Sequence, residues 1–363
     1  MKGFHKGLRR LCAVIIGMVF FLAGTLKLMD PVGAGLVVTE YLKFLHLRFL
    51  IGASKFAGIS LALLETLTGA ALVTGVWRRL AGMVCGFMLS FFTVLTFVLW
   101  LKNPPMDCGC FGEAIHLTHA QSLIKNLVLM ALWVVAFVPF HDFGRTRKLG
   151  AVAFAIAAVS TVLFTLYSTL SIPLIDFTDY APGAEIYAET GLEEDDPQWD
   201  LSENLAVSLP FSNASGEYCD SLACGRSVAV VSVYDPAKIN GEGWEKISEF
   251  LDRAADQDGC TPLLLVASTP SALETIVPGK VLLRSFYADR KTLMTLNRSN
   301  GGVTYLGDGQ IVAKWSFRTM PSRDDLTRLT SSLPTESMIR WSSRGRVRMQ
   351  AYLLYVTAAM LLL

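Results

Sequence analysis

Long apolar runs separated by short charged links fill the first part of the chain, and shorter strand-like and helix-like patterns replace them further on. The runs at 11–28, 51–76, 80–101, 123–140 and 151–170 are close to the about 20 apolar residues that a helix needs to cross a hydrocarbon core of about 30 Å. Each reads as a membrane span. A sixth run at 347–363 fits a marginal or a truncated span. Lys2, Lys6, Arg9 and Arg10 precede the first run, as in a signal peptide. No small-x-small cleavage site follows before Lys27 and Asp30, so an uncleaved span is expected.

The region after the fifth run changes character. Residues 173–213 are polar and include Glu193-Glu194-Asp195-Asp196, the composition of a solvated linker or arm. Residues 227–234 read as a buried strand, and 243–255 as an amphipathic helix with Trp244, Ile247, Phe250 and Leu251 on one side. A second strand is expected at 262–268. Strands at 302–306 and 310–316 flank Gly307-Asp308-Gly309 and make a terminal hairpin. The expected architecture is an all-α membrane bundle, a four-helix core plus additional spans, followed by an α/β domain over 214–335.

Composition strengthens the membrane reading. Hydrophobic residues make up 52% of the chain and charged residues 17%, against roughly 25% charged in soluble domains. The 32 basic and 31 acidic residues leave a net charge of +1, which lacks the basic footprint of nucleic-acid binding. Local charge sets the orientation by the positive-inside bias. The N-terminal cluster, Arg78 with Arg79, and Arg145, Arg147 and Lys148 should face the cytoplasm of a bacterial inner membrane. The segment around 31–47, the loop at 102–120 and the region from about 172 to 346 then lie outside. Arg340, Arg344, Arg346 and Arg348 oppose this order, but charges beside a long translocated domain weigh less.

The loop at 102–120 carries the sharpest chemical signal, Asp107-Cys108-Gly109-Cys110-Phe111-Gly112. Cysteines on the oxidising side of a membrane cycle between dithiol and disulfide. An extended chain holds Cα atoms two residues apart at about 6.6–7.2 Å, whereas disulfides prefer about 5.5–6 Å. The link must bend at Gly109, and a bent, strained disulfide exchanges readily with partner thiols. Cys108 and Cys110 are therefore the candidate catalytic pair; two unreactive cysteines in a turn are the bland alternative. His116 and His119 add a rival reading, a four-ligand metal site with the two cysteines. Glu65 falls inside the second run and should face the bundle interior. Lys27, at the outer end of the first, either pairs with Glu65 or snorkels to the interface.

These pieces together resemble the DoxX-like family of redox-associated membrane proteins, in its MauE branch. The resemblance rests on Gly24-Thr25-Leu26-Lys27 with Asp30-Pro31, on Glu65 followed by Gly69, on Cys108-Gly109-Cys110-Phe111-Gly112, and on Lys125-Asn126. It covers about the first 140 residues and implies a four-helix membrane core linked to disulfide chemistry outside the cytoplasm, in the MauE branch serving maturation of a disulfide-rich enzyme. Gly109, Phe111, Gly112, Glu65 and Lys27 are then supporting residues. The order of elements after residue 214 resembles a thioredoxin-like domain. It departs from that pattern at Tyr234-Asp235-Pro236-Ala237, where no CxxC stands, and Asn300 replaces the loop proline such domains carry. Docking of a partner, without dithiol chemistry of its own, is the expected role of this domain.

Cys219 and Cys224 fit a local structural disulfide or a second redox pair. Cys260 is expected to be a buried small hydrophobe, and Cys12 and Cys85 to pack within spans. No phosphate loop, HExxH or GxSxG motif is present in the sequence. The expected function is thiol–disulfide exchange or electron transfer to an extracytoplasmic protein partner, in support of protein maturation. A non-catalytic membrane scaffold is the first alternative. The second is a small-molecule or quinone-binding bundle with Glu65 and Lys27 lining the pocket; no residue pattern demands a membrane quinone.

Overall fold

The computed structural model describes residues 2–106, 108–138, 146–173, 175–187, 206–277, 279–342 and 346–362. Asp107, Phe140, Arg145, the acidic run 193–196 and Arg344 lie outside the described residues, as do the side chains of Arg340, Arg346 and Arg348. The chain forms two compact units, one of Met1–Ile175 with Arg348–Leu363 and one of Asp176–Val347.

In the first unit, helices α1 (Lys2–Met29), α2 (Pro31–Phe44), α3 (Ser54–Thr74) and α4 (Arg78–Lys102) lead to the short extended segment β1 (Cys110–Glu113), then α5 (His119–Phe137) and α6 (Lys148–Leu170). Among the described residues, five helices are long and apolar enough to cross a membrane, and they coincide with the five long apolar runs. Helix α4 shows the lipid-type pattern, burying Cys85, Met88 and Leu89 while Phe87 and Val94 stay exposed. Helices α1 and α3 approach so closely that a β-carbon on Gly69 would lie 2.6 Å from the Gly17 carbonyl oxygen. Without water to drive association, such small-residue contacts are what holds membrane helices together.

One end of this unit is capped by arginines. Arg9 Nε donates to the Ala136 carbonyl at 2.9 Å, and Arg10 donates to the carbonyls of Leu72 (2.6 Å) and Val73. Cations on the last carbonyls of α5 and α3 satisfy orphan acceptors and oppose the helix dipole. Lys27 lies 17 residues further along α1 than Arg10. At 1.5 Å per residue that is about 26 Å, close to the thickness of a bilayer core.

Helix α2 occupies the segment expected between the first two spans, for which the sequence pattern gives no element. Helix α1 stops at Met29, the Asp30 carboxylate accepts from Gly33 N at 2.9 Å, and Pro31 occupies the first turn of α2. An Asp N-cap followed by proline is a helix start signal. The final helix, Arg346–Leu362, packs in the same unit: Thr357 Oγ1 donates to Ser160 Oγ at 2.9 Å, and Ser160 Oγ to the Leu353 carbonyl at 2.8 Å.

The second unit contains β2 (Glu185–Tyr187), β3 (Ala206–Ser208), β4 (Ser227–Val233), α7 (Gly241–Ala255) and β5 (Thr261–Val266). Short helices α8 (Pro270–Glu274) and α9 (Gly279–Leu282) follow, then β6 (Ser285–Tyr287), α10 (Arg290–Leu296), β7 (Gly302–Gly307), β8 (Gln310–Trp315), α11 (Arg323–Ser331) and α12 (Pro334–Ser342). The described strands form one mixed seven-stranded sheet in the order β3-β2-β8-β7-β4-β5-β6. Strands β4, β5 and β6 run parallel, and β7 is antiparallel to both β4 and β8.

Helix α7 covers one face, setting Trp244, Ile247 and Phe250 against Val231 and Val233; α10 puts Leu293 and Leu296 on the other, against Val230 and Leu265. Each fully buried side chain of this kind contributes roughly 1.5–3 kcal/mol. The expected hairpin is present. Asp308 and Gly309 both have positive φ, 51° and 76°, as a type I′ turn requires. The stretch 173–213, expected to be a linker, instead supplies β2 and β3 to the sheet and buries Leu209 and Phe211.

Candidate functional site

The Cys108–Gly112 loop folds back on the bundle. Gly112 N donates to the Gly109 carbonyl at 3.1 Å, closing a tight turn. Gly109 has φ +56°, and a β-carbon there would overlap Val37 of α2. The position thus needs glycine for conformation and for space. The Tyr41 hydroxyl, also on α2, donates to the Cys108 carbonyl and ties the loop to that helix.

Cys108 is 3% exposed, while Cys110 is partly exposed. Cys108 Sγ lies 3.0 Å from His119 Nδ1, and His119 Nε2 lies 3.1 Å from the Pro104 carbonyl oxygen. A carbonyl only accepts, so Nε2 carries a proton, and Nδ1 is left as the ring atom that can exchange a proton with the Cys108 sulfur. The ring is held at the first residue of α5 by a capping box. Thr118 Oγ1 accepts from Gln121 N at 3.2 Å, and Gln121 Oε1 accepts from Thr118 N at 3.0 Å. A thiol, a ring nitrogen beside it and a carbonyl that orients the ring are an arrangement able to activate a sulfur nucleophile.

Below the loop, Lys27 and Glu65 form a buried ion pair, Nζ to Oε2 2.7 Å, with Lys27 Nζ 5.8 Å from the Phe92 ring centre. Of the two alternatives for Lys27, the ion pair is the one formed, and the residue, 9% exposed, does not snorkel. Asn126 Nδ2 donates to Thr96 Oγ1 at 3.2 Å between α5 and α4, and Lys125 Nζ sits 5.0 Å from the Phe111 ring centre. Most of these groups converge on one space. A cavity of ≈ 360 Å³ is lined by Lys27, Tyr41, Glu65, Cys108, Cys110 and Asn126, with apolar side chains making up most of the wall.

Residues 6–140 match the model of the family described as methylamine utilisation protein MauE. The match therefore spans α1 to α5 and includes every group just named, in agreement with the resemblance read from the motifs. Helix α6, the final helix and the sheet unit lie beyond this MauE region. No curated protein and no solved structure matches the chain.

The remaining candidates part from the site. His116 is exposed, and no cluster of three or more His, Cys, Asp or Glu among the described residues is placed to hold a metal ion. Cys219 Sγ donates to the Glu217 carbonyl at 3.4 Å and Cys224 Sγ to the Ile186 carbonyl at 3.5 Å, so each thiol has its own backbone acceptor. Cys260 is buried, which pushes its thiol pKa up and makes it a poor nucleophile. Cys12 and Cys85 belong to the apolar core of the bundle.

After β4, Asn300 Nδ2 donates to the Asp235 carbonyl at 2.8 Å while its Oδ1 accepts from Asp235 N at 3.0 Å. This two-way clamp holds the turn that carries no cysteine. In the sequence His119 reads as a metal ligand; the structure places it against Cys108. Its spacing of 11 residues from Cys108 and the Thr118–Gln121 capping pattern are the signals that could have placed it.

Proposed function

We propose that this chain is a thiol–disulfide exchange component of a bacterial inner membrane, in which Cys108 and Cys110 form the working pair. The contact between Cys108 Sγ and His119 Nδ1 carries this reading. In the disulfide state, a thiolate of the partner attacks the more accessible Cys110 sulfur, and the Cys108–Cys110 bond breaks. Cys108 departs as a thiolate and takes a proton from the His119 imidazolium. A second partner thiolate then displaces Cys110, leaving the partner oxidised and the pair reduced. Every step runs equally in reverse, and the lower the barrier to losing Cys108, the faster the exchange.

The Arg9 and Arg10 end of the bundle is assigned to the cytoplasm, which puts the cysteine loop and the sheet unit on the extracytoplasmic side. The sheet unit is assigned a thioredoxin-like core. Its support is the strand order β5-β4-β7-β8, with β4 and β5 parallel, β7 and β8 antiparallel, and helices on both faces. The Asn300 clamp on Asp235 fits a docking surface better than a redox centre, so the protein partner is assigned to this unit. MauE proteins are described by methylamine utilisation. Only the membrane setting is carried over, because the sheet unit has no counterpart in the match.

The test is a partner trap. Cys108→Ser should leave Cys110 in a mixed disulfide, recovered as a thiol-sensitive band of higher mass, while the double Cys108→Ser/Cys110→Ser variant yields none. Absence of any adduct with normal membrane insertion would return the chain to the scaffold reading.

A further inference from the structure

A pair that exchanges disulfides must itself be reset, and the cavity beside it is built for a reagent that could do so. Its ≈ 360 Å³ is at the lower end of small-molecule pockets, the size of a one- or two-ring headgroup. The wall is apolar apart from a few placed groups. Lys27 Nζ and Asn126 Nδ2 are donors, Glu65 is an acceptor, and Cys108 stands on the same wall as Cys110. Leu45 and Phe91 line the cavity while remaining 44% and 52% exposed, so its rim reaches the apolar outer surface of the bundle. A ligand that enters from there must partition into lipid. One that uses Lys27 and Asn126 must present carbonyl-type acceptors, and one that resets a dithiol must take two electrons.

We infer that the cavity binds a lipid-soluble quinone headgroup, which reoxidises the Cys108–Cys110 pair. This rests on the exchange reading above and fixes its direction. The two thiols form one S–S bond and release two electrons and two protons. The quinone takes up both on its carbonyl oxygens and leaves as the hydroquinone. His119 receives the Cys108 proton at Nδ1, and Cys108, not Cys110, is the sulfur held against the ring. The ion pair acts on the far side: Lys27 donates to a quinone oxygen, and Glu65 accepts from the hydroxyl that replaces it.

The experiment uses the full chain in detergent micelles, reduced, freed of reductant and mixed anaerobically with decylubiquinone, whose fully substituted ring does not arylate thiols. Quinone absorbance and the count of alkylatable thiols are followed together. The expected result is one quinone consumed per chain, with loss of the Cys108 and Cys110 thiols and a rate that saturates with quinone concentration. Val38→Trp, which fills the cavity from α2, should lower that rate at least tenfold. A rate linear in quinone and indifferent to Val38→Trp would mean reaction at exposed thiols and would overturn the site. In parallel, the oxidised wild type is mixed with a reduced dithiol peptide and no quinone. Exchange there with no saturable quinone reaction removes the cavity proposal alone, whereas failure of that exchange takes both readings down.

Discussion

Among the described residues, each unit buries a lysine–carboxylate pair, and the two pairs are built for different ends. In the sheet unit, Lys314 Nζ meets Asp176 Oδ2 at 2.5 Å, and Asp176 Oδ1 accepts further from Thr178 Oγ1 at 2.7 Å and Thr178 N at 3.1 Å. In the bundle, Lys27 meets Glu65 at 2.7 Å on the wall of a cavity that the cysteine loop shares. The first pair is sealed by its own donors and fixes a strand to the chain that precedes the sheet. The second leaves donor and acceptor capacity facing space. A buried charge pair with filled valences is a clamp; one beside a cavity is available to a ligand.

The largest effect should come from the site itself. Cys108→Ser should abolish exchange, by at least about 100-fold, with insertion unchanged, because without the Cys108 sulfur there is no disulfide for the partner to open. His119→Asn should follow, slowing exchange at neutral pH by at least about tenfold and making its rate climb more steeply with pH, because the departing Cys108 thiolate then has no imidazolium to protonate it and the partner's thiolate fraction alone sets the profile. A purely structural role for His119 would leave the shape of that profile unchanged.

The ion pairs themselves sharpen the contrast. Glu65→Gln leaves Lys27 buried without its counter-charge and should destabilise the bundle by about 3–5 kcal/mol, read as thermal unfolding in detergent. The double change Lys27→Met/Glu65→Leu should recover most of that loss, since an apolar pair of similar volume is often as stable. Such recovery without recovery of quinone reduction would separate ligand binding from packing.

For Asp176, burial acts to raise the carboxyl pKa, but the Lys314 ammonium and the Thr178 donors outweigh it and hold the pKa below its ordinary value. A folded-state pKa below the unfolded one gives stability that is present above about pH 4. It is lost as pH falls through the lower, folded value. Asp176→Asn should therefore cost about 1–3 kcal/mol at pH 7 and leave the sheet unit less sensitive to acid below pH 4. Asn300→Ala should be the mildest, about 1 kcal/mol for its clamp on Asp235, with exchange at the cysteine loop unaffected.

Legibility in the sequence followed the range of the interactions. The long spans and the Asp308–Gly309 hairpin are local, and both stood out from residue patterns alone. Strands β2 and β3 have three residues each, too few for any periodic signal, and they sit in a stretch whose overall composition is polar. Helix α2 was announced by Asp30-Pro31, yet its apolar length falls short of a span, so the stretch passed for a segment between spans. Cys108, Cys110, Lys27 and Glu65 were each chosen from residue chemistry. That they line one cavity could not be read, because it is assembled from α1, α2, α3, α4, α5 and the loop. His119 was noticed for the wrong chemistry, since a ring nitrogen suits a metal and a thiol proton equally until its neighbours are known.

The most direct test of the central claim is the redox state of Cys108 and Cys110 in living cells, fixed by acid quenching and counted by alkylation mass shift in wild type and in Cys108→Ser. The account predicts a mixture of oxidised and reduced pair in the wild type, moving toward reduced when respiration is blocked, and a mixed disulfide at Cys110 in the variant. A pair that stays fully reduced under every condition, with no adduct in Cys108→Ser, would contradict it.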